Sequence, residues 1–363
     1  MEPYKVLLYI CIISTIVSIK RNSCKELSWA LFLISSIYAI ALVSLRDKSI
    51  GTDTFEYWWF FCGDQYGYSG YDIEKIDVGY RFFQKIVRLF TSNANVFIFL
   101  LGFLSLGPIC FVINRVSQWK NYSVFLLISL GTTTICYILF FSMLRQCLAF
   151  GLLTIILYLY SEGILKRNYK LFLLLLCAIL LHKTVLFCVP LFFLDLILFK
   201  KKWLYVSLSC SFILGLSMQS YAPTMRLISM SLFDGKYNYY ANVLEDNFYQ
   251  IGVTLPLNII CFLIIFLGKE RFLQEFYTRV FLVGVVVNNL LCMAGNSDRL
   301  TMYFIIYGCI VIPNFLETLN SRKFVKYGIM LLTVLYYSHK FLKVFENASE
   351  NTMIALVPYK SFL

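Results

Sequence analysis

Apolar runs of roughly 16–20 residues recur along this chain, separated by short polar turns, and each is long enough to cross a bilayer core as a helix. None shows the short alternating pattern of membrane barrel strands. The pattern predicts twelve spans, at about 4–19, 27–45, 95–114, 122–141, 146–160, 170–182, 184–199, 204–220, 251–267, 279–295, 300–316 and 325–338. Several are short for a straight crossing, which predicts tilt or broken helices near 142–146 and 182–184. The first run, Tyr4–Ile19, leads into Lys20 and Arg21 with no small-residue cleavage site, so it reads as a retained helix. The expected fold is an all-α polytopic membrane protein, a single transmembrane domain over 1–363.

Two stretches break the pattern. In 46–94, Phe55, Tyr57, Trp58, Trp59, Phe60 and Phe61 make an aromatic belt suited to lipid headgroups. Gly79–Thr91 then places Phe82, Phe83, Ile86, Val87 and Phe90 on one helical face, with Arg81, Gln84, Lys85 and Arg88 on the other. That spacing predicts an interfacial amphipathic helix or a helix packed on the bundle. The second stretch, 221–250, holds Tyr221, Tyr237, Tyr239, Tyr240 and Tyr249, which suit sugar rings or a bilayer interface equally.

Composition agrees with the class: 60% of the 363 residues are apolar and 14% charged, against about half and a quarter in a soluble domain. A net charge of +12 suits a protein facing anionic lipid, and no basic face for nucleic acid is found. The twelve cysteines show no C-x-x-C pair and fall mostly inside apolar runs, as small hydrophobes do. Two histidines exclude a histidine-rich metal site. More than half of the basic residues sit in six alternate turns, around Lys20, Arg115, Lys166, Lys200, Lys269 and Arg322. By the positive-inside rule those turns are cytoplasmic. Both termini and the loops 46–94 and 221–250 are then expected outside.

That outer boundary holds four isolated cations: Arg46, Arg145, Lys183 and Arg299. Charge at that depth is costly and usually meets an anion. An arginine fork binds phosphate through two bonds, whereas lysine is a point charge. If their helices converge, the four form a basic pocket for a lipid-linked phosphate or pyrophosphate. The bland alternative is that each caps a helix or pairs with a neighbour, Asp47 for Arg46 and Asp298 for Arg299. Asp53, Asp77 and His182 are the candidate bases for activating a sugar hydroxyl. Thr52 and Thr54 flank Asp53, and capping of the following helix is the competing reading of that motif. No metal or other cofactor is required, although Asp47, Asp53 and Asp77 leave a magnesium site open. Asp195 lies near the cytoplasmic end of its span, where it snorkels or pairs.

Six segments recur in an order that resembles the EpsG family of Wzy-like polysaccharide polymerases. They are GTDTFEY at 51–57, IDVGYRF at 76–82, SMLRQCLA at 142–149, LLHKTVLF at 180–187, SDRLTMYF at 297–304 and VPYKSF at 357–362. Val78 stands where the family often has proline or lysine, and Lys183 where many members have serine. The resemblance implies a multi-span glycosyltransferase of GT-C-like architecture in a bacterial cytoplasmic membrane, with its active face outward. It would polymerise oligosaccharide repeat units for capsule, exopolysaccharide or O-antigen. The growing glycan would pass from undecaprenyl pyrophosphate to a hydroxyl of the incoming lipid-linked unit. Within these motifs Asp53, Asp77, His182, Arg145 and Arg299 are the expected catalytic residues. Arg46, Thr52, Thr54, Tyr57, Gly79, Tyr80, Gln146, Lys183 and Tyr303 are expected at the substrate. The implied partners are membrane lipid, the lipid-linked oligosaccharide, and a chain-length regulator and flippase of the same pathway. Rival readings are a flippase or transporter of lipid-linked sugars, an acyltransferase acting through His182, and an O-antigen-ligase-like glycan transferase.

Overall fold

Hydrophobic runs with no water to satisfy their backbones close into helices, and the described residues of the computed structural model form helices joined by turns, with no strand beyond two isolated bridges. It describes residues 1–19, 25–63, 76–131, 135–166, 168–217, 247–291, 298–350 and 355–363. Lys20, Arg21 and the tyrosines at 221, 237, 239 and 240 lie outside that set, as does the middle of the loop 46–94. The chain folds as two compact units. The first comprises 1–129, 137–192 and 330–363; the second comprises 130–136 and 193–329.

The first unit is built on α1 (Glu2–Ile19), α2 (Lys25–Ser44), α5 (Ala94–Val116) and α8 (Leu144–Ser161). Between α2 and α5 lie two short helices, α3 (Thr54–Cys62) and α4 (Val78–Arg88). Then come α6 (Lys120–Ser129), α7 (Cys136–Ser142) and α9 (Tyr169–Leu181), followed by a 3₁₀ helix, Lys183–Leu196. Pro190 inside that last segment has no N–H to give to a regular α-helical ladder.

The second unit holds α10 (Lys201–Leu216), α11 (Asn247–Leu267), α12 (Glu270–Leu273), α13 (Phe276–Leu291), α14 (Asp298–Ile305) and α15 (Gly308–Thr318). The last helix, α16 (Lys323–Glu350), begins in the second unit, and its residues from 330 on belong to the first. Asn258 on α11 and Asn289 on α13 exchange reciprocal amide bonds of 2.8 and 2.9 Å, and Asn289 also donates to Ser211 on α10. Polar side chains of this kind fasten helices where lipid offers no hydrophobic drive. Asp195 finds a partner in Arg279, 3.6 Å away, which also donates to the carbonyl of Leu194.

Five helical stretches among the described residues are long and apolar enough to cross a membrane: α1, α2, α5, α8 and Asp298–Thr318. Several predicted spans are interrupted. The run 122–141 becomes α6 and α7 around Gly131, whose Thr-rich neighbourhood disfavours a helix. The expected breaks near 142–146 and 182–184 fall at Met143 and His182. The predicted span 325–338 continues to Glu350, because Phe341, Phe345 and Ala348 remain buried on one face among polar neighbours.

Helix α4 divides its apolar residues between two faces. It packs through Tyr80, Gln84 and Val87, and leaves Phe82, Ile86, Leu89 and Phe90 exposed. Arg88, although exposed, donates to the carbonyls of Phe60 and Phe61, so that α4 holds the end of α3. The apolar surface faces away from the protein, as suits a helix lying in a lipid interface.

A candidate active site around Asp77

The site grows from two helix breaks and two short helices of the first unit. α7 stops at Ser142, and α8 restarts at Leu144 with Arg145 in its first turn. α9 stops at Leu181, and His182 leaves the helix in an extended conformation. Beneath them a cluster of Tyr57, Phe61, Tyr80, Phe97, Leu144 and Leu148 forms the floor. Phe61 and Phe97 stack at 4.3 Å, and Tyr57 meets Tyr80 edge-on at 5.9 Å.

Asp77 is the residue before α4, a position where aspartate usually caps the first turn. Its side chain makes no capping bond. Its Oδ2 lies instead 3.1 Å from His182 Nδ1 and 3.6 Å from Arg145 Nη1. The Asp77 side chain is 9% exposed, while those of Arg145 and His182 are 20% and 21% exposed. Arg145 Nε reaches the Tyr57 hydroxyl at 3.5 Å, and its guanidinium lies 5.9 Å from the centre of the same ring. A carboxylate on Nδ1 selects the tautomer in which Nε2 can accept a proton. Burial pushes the Tyr57 phenol up to about 12, against the opposing field of Arg145, so it stays neutral and polar.

Two glycines make this convergence possible. A side chain at Gly79 would place its Cβ 2.6 Å from the Leu180 carbonyl carbon, so only glycine lets α4 cross the end of α9. Gly51 has φ +89°, and a Cβ there would collide with the Phe141 carbonyl oxygen. The loop at 51–54 therefore lies directly on the end of α7. Thr54 Oγ1 donates to the Phe141 carbonyl at 2.8 Å, and the Thr52 N–H reaches Ser142 Oγ at 3.3 Å.

The sequence candidates divide clearly. Asp77, His182, Arg145, Tyr57, Gly79 and Tyr80 come together. Asp53 stands before α3 without a capping bond, half-exposed, within electrostatic reach of Tyr57. Thr54 is buried and ties the loop to α7, so capping of α3 is not its role. Gln146 is buried beside Arg145 in the chain, and Lys183 is exposed next to His182. Arg299 and Tyr303 belong to the second unit.

Arg46 is fully buried. It does not pair with Asp47, whose carboxylate accepts from Ser49. The sequence reading missed Glu56, three residues from Asp53 on the same face of α3. Burial raises its carboxyl, Asp53 adds to the shift and Arg145 opposes it. The spacing of Asp53 and Glu56 was the available signal. Among the described residues no group of three or more metal-ligating side chains forms.

A family model described as the EpsG family matches residues 29–361. No curated protein matches the chain, and no solved structure does.

Proposed function

This chain belongs to the EpsG family, and from that premise we propose that it polymerises lipid-linked oligosaccharide repeat units on the outer face of a bacterial cytoplasmic membrane. The observation that carries the reading is the Asp77 carboxylate shared between His182 Nδ1 and Arg145 Nη1. It joins a base and a phosphate-binding cation at one point, which is what transfer from a pyrophosphate needs.

In the proposed reaction an acceptor sugar hydroxyl attacks the anomeric carbon of the growing glycan. The new glycosidic bond forms as the bond from that carbon to pyrophosphate oxygen breaks. His182 Nε2 takes the hydroxyl proton, and Asp77 holds the resulting imidazolium. Arg145, with Lys183 beside the histidine, receives the charge that develops on the leaving oxygen. Undecaprenyl pyrophosphate departs with the electron pair. Tyr57 keeps the guanidinium oriented through its neutral hydroxyl. Asp53 and Glu56 face the acceptor side, where carboxylates can accept sugar hydroxyls.

The test is purified protein with a lipid-pyrophosphate repeat unit, its products resolved by glycan length. Wild type should give a ladder spaced by one repeat. Arg145→Ala should slow it by about 10²–10³-fold, the usual loss on removing one donor to a developing anion. Asp77→Asn should bind lipid donor normally yet transfer poorly. An unchanged ladder in Arg145→Ala, from well-folded protein, would rule the mechanism out.

A further inference from the structure

Among the described residues Arg46 is the largest fully buried side chain, and the reaction proposed above does not use it. Among the described residues no carboxylate pairs with it. Its Nε donates to Thr54 Oγ1 at 3.2 Å, and a second N–H donates to the carbonyl of Val43. Its guanidinium lies 5.5 Å from the centre of the Phe141 ring. A charge taken out of water without an anion costs several kcal/mol unless its surroundings are built for it. Arg46 Nη2 makes no hydrogen bond among the described residues, and the Arg46 backbone is paired with the last residues of the chain. Arg46 bridges to Ser361 through the backbone. On either side, Asp47 N–H donates to the Lys360 carbonyl at 2.9 Å and Phe362 N–H to the Leu45 carbonyl at 3.2 Å. Gly51 N–H donates to the Ala355 carbonyl at 2.8 Å. The hydroxyls of Tyr359 and Ser361 donate to Leu42 and Leu45, and Tyr4 holds the carbonyl of Leu356.

These contacts form one chain of bonds. The tail 355–363 is fixed to the segment 45–51. That segment and Arg46 are fixed to Thr54, and Thr54 opens α3. α3 carries Tyr57, which touches Arg145. We infer that Arg46 and the C-terminal tail form a clasp that positions Tyr57 and Arg145 for transfer, and that Arg46 does not bind the lipid pyrophosphate. Arg46 is thus a positioning residue. The inference rests on the polymerase reading for its kinetic consequence, and on geometry alone for the clasp.

The two roles separate in kinetics. With Arg46→Ala, ladder formation at saturating donor should fall about a hundredfold, the scale expected when reacting groups shift by about an ångström. Affinity for undecaprenyl pyrophosphate, used as the probe, should stay within about twofold of wild type, because uniform binding is untouched. Arg46→Lys should not restore the rate, since lysine lacks the fork that reaches Thr54 and Val43 together. Affinity lost about tenfold or more with the saturated rate preserved makes Arg46 a donor ligand and overturns the clasp, as does a wild-type rate. A second variant guards against misfolding: protein ending before Ala355, assayed with the free peptide of residues 355–363. Rate restored by the peptide supports the clasp, and full rate without it overturns the clasp. If wild type itself makes no ladder, the polymerase reading fails. Amide exchange then decides the clasp: faster exchange at Gly51 and Tyr57 in Arg46→Ala supports it, and unchanged exchange removes it.

Discussion

Asp77 and Asp53 occupy equivalent places, each just before a short helix, and neither caps it. An aspartate that leaves the helix N–H groups to others is available for something else, and Asp77 directs Oδ2 to both His182 and Arg145. Glu56 tells a related story with a pH signature. Burial raises its carboxyl above the ordinary 4.5, with Asp53 adding and Arg145 opposing. A raised folded-state value means the protonated form is favoured by folding. The stability it contributes is therefore present below the ordinary value and lost as pH rises through the raised one. Glu56→Gln should melt at or above the wild-type temperature at neutral pH, and the gap should close in acid below 4.5. A glutamine variant that melts lower at neutral pH would instead mean that Glu56 is held by a cation. Thermal melts of both proteins across pH decide between these outcomes.

At the scale of elements, the site depends on where helices stop. His182 is reachable because α9 ends one residue earlier, and Arg145 because α8 begins one residue before it. Gly79 then lets α4 pass over the exposed end of α9. Gly79→Ala should push the two apart, lengthen the Asp77–His182 contact and destabilise the fold by about 1–3 kcal/mol, the usual range for overpacking. Transfer should fall more than stability predicts, because the dyad loses its geometry. An alanine variant with wild-type ladder and melting temperature would mean that α4 can shift at no cost. α4 also shows where pattern and packing part. The period-3.6 stripe was plain in the sequence, but which stripe faced inward was not. Tyr80, Gln84 and Val87 are buried, Arg88 reaches back to the carbonyls that end α3, and Phe82, Ile86 and Phe90 are left for lipid.

For the whole molecule, the charge pattern sets an orientation that labelling can read. Ser49 and Lys360 are both exposed and lie near each other through the pairing of 46 with 361. Lys202 is exposed in one of the basic turns. In a cysteine-depleted background, Ser49→Cys and Lys360→Cys should react with an impermeant maleimide on intact cells. Lys202→Cys should react only after permeabilisation. The reverse pattern would put the proposed site on the cytoplasmic face and end the polymerase reading in its present form. The sequence by itself determined the helical membrane class and the two helix breaks, because membrane insertion reads length, hydropathy and flanking charge, which are local quantities, and it supplied most of the residues proposed for the site. Only the tertiary structure decided that Asp77 meets His182 and Arg145, that the segment at Arg46 pairs with the tail, and that α4 buries Tyr80, Gln84 and Val87. Those outcomes depend on contacts between residues up to several hundred positions apart, made possible at two points by a missing side chain, and no local pattern encodes which distant partner will arrive.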